Sequence, residues 1–168
     1  MQIICRLAKS EDCEQIANLT LDLTKGSFED HLHSVFVQIK ENKLEDSLTK
    51  VFVAIVEGKV VARAKLFYYD DRRIKVDFES PRGWYFNGAI VEEKFRRKGI
   101  AKSLASFREN YIKQSKKDGE KVYSIVSAVN EASIKYHQAV DFLEQKRALG
   151  FLCVRLECGE GILFKKYL

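Results

Sequence analysis

The stretch Ala89-Ile90-Val91-Glu92-Glu93-Lys94-Phe95-Arg96-Arg97-Lys98-Gly99-Ile100-Ala101-Lys102 is the part of this sequence best suited to chemistry. Trp84 to Val91 is nearly all apolar, Asn87 being the exception, and reads as a strand buried on both faces. A short basic turn follows. A helix then begins near Gly99, its apolar stripe formed by Ile100, Leu104, Phe107 and Tyr111. The start of a helix offers main-chain N–H groups without intrahelical acceptors and the positive end of the helix dipole. That combination holds phosphate. Gly99 lets a ligand approach the backbone with no side chain in the way, and Ala101 is the next smallest choice. Arg96, Arg97, Lys98 and Lys102 add positive charge around the same point.

Charge along the chain agrees. From Lys94 to Lys121 there are ten basic residues and three acidic ones, against a net charge of +5 for the whole chain, so the remainder is slightly negative. One segment carries the positive field and should meet a polyanion. A nucleic acid or a nucleotide bearing several phosphates would satisfy it. No stacking aromatic surface or recognition helix accompanies the basic segment, so nucleic acid is not the expected partner.

The elements that must position this turn follow from periodicity and punctuation. Gln2–Leu7 reads as an opening strand. Ser10 reads as an N-cap, and the helix behind it is expected to run to about Leu23. Ser27 opens a second helix with Phe28, Leu32, Val35, Phe36 and Ile39 on its apolar face. Lys50–Val56 and Lys59–Tyr69 form a hairpin turning at Glu57-Gly58. Asp70–Gly83 reads as a loop. Beyond the basic turn, the helix from Gly99 ends at Asp118-Gly119, and Val122–Val129 is a second buried strand. Glu131 to about Leu149 reads as a helix stopped by Gly150, and Phe151–Cys158 with Gly161–Leu168 as a last hairpin. A helix between two buried strands implies a parallel pair, whereas hairpins imply antiparallel neighbours. The expected fold is therefore α/β, a mixed sheet with helices on both faces, in a single domain spanning residues 1–168.

Alone, Arg96-x-x-Gly99-x-Ala101 is a common pattern; between a buried strand and an amphipathic helix it is specific. In that setting it resembles the diphosphate-binding signature of the GNAT superfamily of acyl-CoA-dependent N-acetyltransferases. The resemblance covers the whole chain. Cys5 to Ile16 is similar to the family's first strand and helix, and the element order matches. Asn130-Glu131-Ala132-Ser133-Ile134-Lys135-Tyr136-His137 looks like its second motif, and Gly150-Phe151 like the Gly-Phe that follows it. The implied fold is a mostly antiparallel sheet of about seven strands with one splayed parallel pair.

The resemblance also implies roles. Main-chain groups of Arg97 to Lys102 would cradle the diphosphate of acetyl-CoA, the co-substrate, with Arg96 beside them. Ala89, Ile90 and Val91 would pair with its pantetheine arm like an added strand. Asn130 and Ser133 would contact the arm from the second motif. The acceptor is an amine, which must lose its proton before it attacks. The departing thiolate needs an acid, and His137 is the first candidate, Tyr136 the second. The family often places a Glu nine residues before the signature Arg; here that position is Asn87, which takes no proton but can position a water. Glu92 is the fallback base. His31 and His33 lie on the second helix, and their spacing puts them on different faces, so at most one points inward. The reading opposed to an enzyme is a non-catalytic CoA-binding protein of the same fold.

Cys5, Cys13, Cys153 and Cys158 lack the spacing of a zinc site, so no metal is expected, and free thiols are expected over a Cys153–Cys158 bridge. No apolar run reaches membrane-spanning length, and the opening residues are too short an apolar stretch for a signal peptide. These observations set a membrane aside and point to the cytoplasm, with a second copy of the chain, as a homodimer, the remaining candidate partner.

Overall fold

The computed structural model describes residues 1–23, 25–156 and 159–168. In chain order its elements are β1 (Ile4–Leu7), α1 (Cys13–Leu19), α2 (Phe28–Lys40), β2 (Thr49–Val56), β3 (Lys59–Tyr69), β4 (Gly83–Val91), α3 (Ile100–Gln114), β5 (Lys121–Ser127), α4 (Glu131–Ala139), β6 (Leu143–Ala148), β7 (Gly150–Phe151), β8 (Val154–Arg155) and β9 (Gly161–Tyr167). Seven strands form one mixed sheet in the order β1-β2-β3-β4-β5-β9-β6, and β7 pairs with β8 separately. The β4–β5 pair is parallel, while β1–β2, β5–β9 and β6–β9 are antiparallel. This is the mixed, mostly antiparallel α/β sheet that the sequence implies.

The chain divides into two compact units, Met1–Leu66 with Gly88–Arg108, and Phe67–Asn87 with Glu109–Leu168. In the first unit, alternate residues of β2 serve opposite faces, as the pleat requires. Val51 and Val53 pack with Cys13, Ile16 and Ala17 of α1 and Val35 and Ile39 of α2. Phe52, between them, meets Phe107 of α3 edge-on at 6.0 Å. Ser27 caps α2 by accepting the Asp30 N–H at 3.1 Å, as its sequence suggests. At the start of α1, however, the capping residue is Asp12 and not Ser10. Its buried carboxylate takes two hydrogen bonds from Arg6, at 2.6 and 2.9 Å, and one from the Lys9 N–H at 2.7 Å. The helix ends at Leu19, short of the expected Leu23, and a separate 3-10 turn covers Leu21–Leu23.

In the second unit, Trp84 of β4 packs edge-on against Tyr68 and Tyr111, at 5.0 and 6.3 Å. Tyr85 turns to the opposite face and joins Tyr69, Tyr123, Phe151 and Leu163. Its hydroxyl donates to Pro81 O at 2.6 Å. β4 is not buried along its whole length as expected. Gly83–Phe86 is buried, but Asn87, Gly88 and Ala89 are exposed. Within this unit the parallel register with β5 runs from Trp84↔Val122 to Phe86↔Ser124.

Two further expectations fail at the end of the chain. α4 stops at Ala139 instead of continuing to Leu149, and Leu143–Ala148 is a strand paired with β9. The stop is Asp141, in the left-handed region at φ 68°. Its N–H donates to Gln138 O at 3.1 Å, and the Phe142 N–H reaches back to His137 O at 3.0 Å. That is the double hydrogen bond of a Schellman cap, with an Asp where Gly is usual. Val140 and Phe142 are buried and anchor the cap. The expected final hairpin is likewise replaced: β9 lies between β5 and β6, and Phe151 pairs with Val154. Cys5, Cys13 and Cys153 are free thiols; Cys158 lies outside the described residues.

Because a non-glycine residue in the left-handed region costs about 1–2 kcal/mol, Asp141→Gly should raise stability in chemical denaturation by about 0.5–1 kcal/mol. Phe142→Ala should lower it by about 3–5 kcal/mol. A destabilised Asp141→Gly would show that the carboxylate, not the backbone, sets the helix end.

Candidate active site

In the first unit, β4 leaves the sheet with its direction fixed. The Glu92 N–H donates to Val61 O at 2.9 Å, and the Arg96 guanidinium turns back to Val91 O through Nε at 3.2 Å. A 3-10 turn over Glu93–Phe95 follows, with Lys94 and Lys98 each 5.3 Å from the centre of the Phe95 ring. The backbone then passes through two left-handed residues, Arg97 at φ 60° and Gly99 at φ 81°. It enters α3, whose first intrahelical bond runs from the Ser103 N–H to Gly99 O at 2.9 Å. Arg96, Arg97, Lys98 and Gly99 are exposed, while Ile100 is buried and pins the helix start. A Cβ placed on Gly99 would meet nothing within 4 Å. Packing therefore does not demand this glycine. Backbone conformation does, and the space above it is open to a ligand. Arg96 to Lys102, with Ala89, Ile90 and Val91 leading into them, thus lie on one continuous stretch of chain that joins β4 to α3, with Arg96 to Gly99 exposed.

Glu92, the fallback base, is not placed for that work. Burial would raise its pKa, but a hydrogen bond from Lys94 and the nearby charge of Lys59 outweigh it and hold the carboxyl below its usual range. The two ammonium groups lie 3.0 and 3.4 Å from its oxygens.

In the second unit, Asn130 caps α4, its side-chain oxygen accepting the Ser133 N–H at 3.0 Å. That leaves the side-chain amide N–H groups of Asn130 as its donors. His137 is 7% exposed. Its Nδ1 lies 2.7 Å from Ser133 O, an acceptor, so Nδ1 carries a proton. Its ring stacks on Phe164 at 5.6 Å and meets Phe142 edge-on at 5.3 Å. Tyr136, half-buried, lies edge-on to the same imidazole at 5.0 Å. Asn87 is exposed at the end of the buried part of β4.

The structure also assembles residues that sequence reading missed. Arg63 and Lys65 interrupt the apolar run of β3 at alternate positions, so they share one face of the strand. Arg63 donates through Nη1 to Gly88 O at 3.1 Å. Gly88 is left-handed at φ 53°, and a Cβ there would come within 2.9 Å of that same Nη1. Burial lowers the Arg63 pKa to about 10. Burial, aided by the Arg63 charge, lowers Lys65 to about 8. His31 of α2 donates through Nε2 to the Thr20 hydroxyl at 2.7 Å, because that hydroxyl gives its own proton to Ile16 O at 2.8 Å. Burial, then Arg63 and Lys65, hold the imidazole below its ordinary pKa. His31 is half-buried and His33 exposed, so one of the pair turns inward. The period-two charges at 63 and 65 inside a buried strand were the available signal.

Comparisons with known proteins bear on the family and the fold. A model of the acetyltransferase (GNAT) family matches residues 10–142. No curated protein matches the chain in sequence. Among solved structures, an N-acetyltransferase from Staphylococcus aureus Mu50 superposes with a TM-score of 0.70 at 17% identity, covering 99% of each chain. An alanine acetyltransferase of a ribosomal protein from Vibrio fischeri gives a TM-score of 0.73 at 18% identity, over 99% of this chain and 93% of that one. NAA60 from Arabidopsis thaliana, in complex with a bisubstrate analogue, gives 0.67 at 18%, over 99% and 98%. At these identities the likeness concerns the fold.

The basic surroundings of His31 give a direct check. Its ring protons, followed by NMR, should titrate below the ordinary value of about 6.5. In Lys65→Met the midpoint should rise, since one of the repelling charges is gone; an unchanged midpoint would mean Lys65 does not act on the ring.

Proposed function

The chain belongs to the acetyltransferase (GNAT) family, and from that premise we propose that it is an N-acetyltransferase that moves an acetyl group from acetyl-CoA to a primary amine by direct attack. The observation that carries this reading is the left-handed, uncovered Gly99 at the mouth of α3, ringed by exposed cations. A diphosphate fits such a cradle: main-chain donors point one way, the dipole favours negative charge, and no side chain blocks approach. Arg97 to Lys102 are assigned to hold it, with Arg96 tying the loop to Val91. Ala89, Ile90 and Val91 are assigned to the pantetheine arm as an added strand, and the Asn130 amide and Ser133 to the same arm. Acetyl-CoA, when bound, supplies an activated thioester.

The protein's own groups then have three tasks. Main-chain N–H groups near Val91 polarise the thioester carbonyl. The acceptor must be delivered as a neutral amine. With Asn87 in place of a carboxylate and Glu92 tied to two lysines, the proton leaves through water positioned by Asn87. Finally the departing thiolate takes a proton. Of the two candidate acids, Tyr136 is favoured: the His137 Nδ1 proton is directed to its own helix backbone and the ring is packed among Phe142 and Phe164. His137 then positions the Tyr136 ring by edge contact. The replacement at Asn87 also supports the second reading, a CoA-binding protein without catalysis.

Thiol release from acetyl-CoA with a panel of amines separates the two. At least one amine should be turned over; CoA binding without turnover of any amine favours the second reading. With an accepted amine, Tyr136→Phe should lower kcat about 100-fold or more while CoA affinity stays within about threefold. The reverse ranking of Tyr136→Phe and His137→Asn would return the acid's role to His137. Without a carboxylate base, kcat/KM should climb with pH toward the acceptor's own amine pKa. A plateau from about pH 5 would reveal a carboxylate after all.

A further inference from the structure

Buried charges in proteins are paired or hydrogen-bonded, because an isolated ion in a low-dielectric setting costs several kcal/mol. The Arg63 cluster breaks that rule. Arg63 is 7% exposed, and its Nε is buried with no hydrogen-bond partner among the described residues. Its Nη1 is satisfied by a main-chain carbonyl, which carries no full charge. Among the described residues, no carboxylate acts electrostatically on Arg63 or Lys65, and the charges acting on His31 are those two cations. Three basic groups therefore crowd one place in the first unit, each making the others' protonation harder. The chain has 24 acidic residues, and none of the described ones acts on this cluster. Both features of Gly88, its left-handed backbone and its missing Cβ, keep room for the Arg63 guanidinium. The cluster is built in, and the Arg63 Nε has no hydrogen-bond partner among the described residues.

We propose that Arg63 and Lys65, with His31 at their side, form a seat for an anionic group, carboxylate or phosphate, carried by the amine that this protein acetylates. Location decides for the acceptor. Arg63 holds Gly88 O, and Gly88 directly precedes Ala89, Ile90 and Val91, the segment assigned above to the acyl arm. An anion neutralising the cluster would sit beside that segment. Lys65, half-buried, is the approach, and Arg63 supplies the fixed charge behind it. The substrate class is then an amino acid-like or amino phosphate-like molecule, not a polyamine, whose charges the seat would repel. This rests on the acetyltransferase reading for the word acceptor, but the seat itself does not.

The test uses the whole protein and two readouts. In the first, acetate and inorganic phosphate are titrated in separately while the His31 ring is followed by NMR. A seated anion offsets the neighbouring cations, so the His31 pKa should rise with either probe, and the probe that raises it more identifies the carboxylate or the phosphate arm. Binding should weaken as pH climbs through about 8, where Lys65 loses its proton. If neither anion moves His31, the seat does not exist. In the second, paired amines are compared in thiol release: β-alanine against its amide, and 2-aminoethyl phosphate against ethanolamine. The anionic member of at least one pair should have a kcat/KM about tenfold higher or more, and Lys65→Met should abolish the preference. Arg63→Gln should do the same if it folds; Lys65→Met suffices alone. Equal rates within both pairs would overturn the assignment to the acceptor. If His31 responds to anions but no amine is turned over, the seat stands and the enzyme reading falls. If amines are turned over and His31 is silent, the enzyme reading stands and the seat falls.

Discussion

The turn between β4 and α3 depends on one backbone constraint. To leave a strand and start a helix with its N–H groups facing open space, the chain must turn through Arg97 and Gly99 in left-handed geometry. Arg97 accepts that strain at about 1–2 kcal/mol, and Gly99 does so freely. What stabilises the turn lies on either side: Ile100 buried under the helix, and Arg96 hydrogen-bonded back to Val91. The result is an exposed loop held in place at both ends. Only a loop fixed in this way can hold a multiply charged group through main-chain donors, since these donors have no rotamers with which to search.

A second theme is charge that is left unbalanced where balancing would have been easy. Asp12 shows what the sequence does when an ion pair is structural: a buried carboxylate receives two bonds from Arg6 and one from the backbone. Asp70 does the same with Arg72 and Arg82, and hydrogen bonds from Arg72 press its pKa far below the ordinary carboxylate range. Against these, Arg63 and Lys65 have no acid acting on them among the described residues. Maintaining such a cluster lowers stability, and a fold retains that cost when something outside the chain completes the pairing.

Much of this was legible in the sequence, and the misses have physical causes. The β2–β3 hairpin was readable because Glu57 and Gly58 occupy a two-residue turn, both at positive φ. The Ser27 cap and the Gly99 turn were readable because a capping serine and a glycine at a helix start are local signals. The end of α4 was not. Asp141 carries no strong stop signal, and the double hydrogen bond that ends the helix is worthwhile only because Val140 and Phe142 find a buried home, which is a tertiary fact. A helix continued to Leu149 leaves no residues for β6, and so takes Phe151–Cys158 as the partner of β9 where the structure has β5 and β6. The second half of β4 was misjudged for a related reason. Apolar composition predicts burial, but Ala89 is exposed where this strand runs on past its registered pairs with β5. In the candidate site, the residues that the motifs name are legible because local sequence carries them. Arg63, Lys65 and Gly88 were overlooked because their importance lies in a contact between strands 25 residues apart in sequence.

The most direct test of the central claim follows the main-chain amides themselves. On titration with coenzyme A, ¹⁵N–¹H NMR signals of Gly99, Ile100, Ala101 and Lys102 should shift strongly and together, and pantetheine, which lacks the diphosphate, should leave them nearly still. If coenzyme A binds while these amides stay silent, or if pantetheine moves them equally, the mouth of α3 is not where the diphosphate is held.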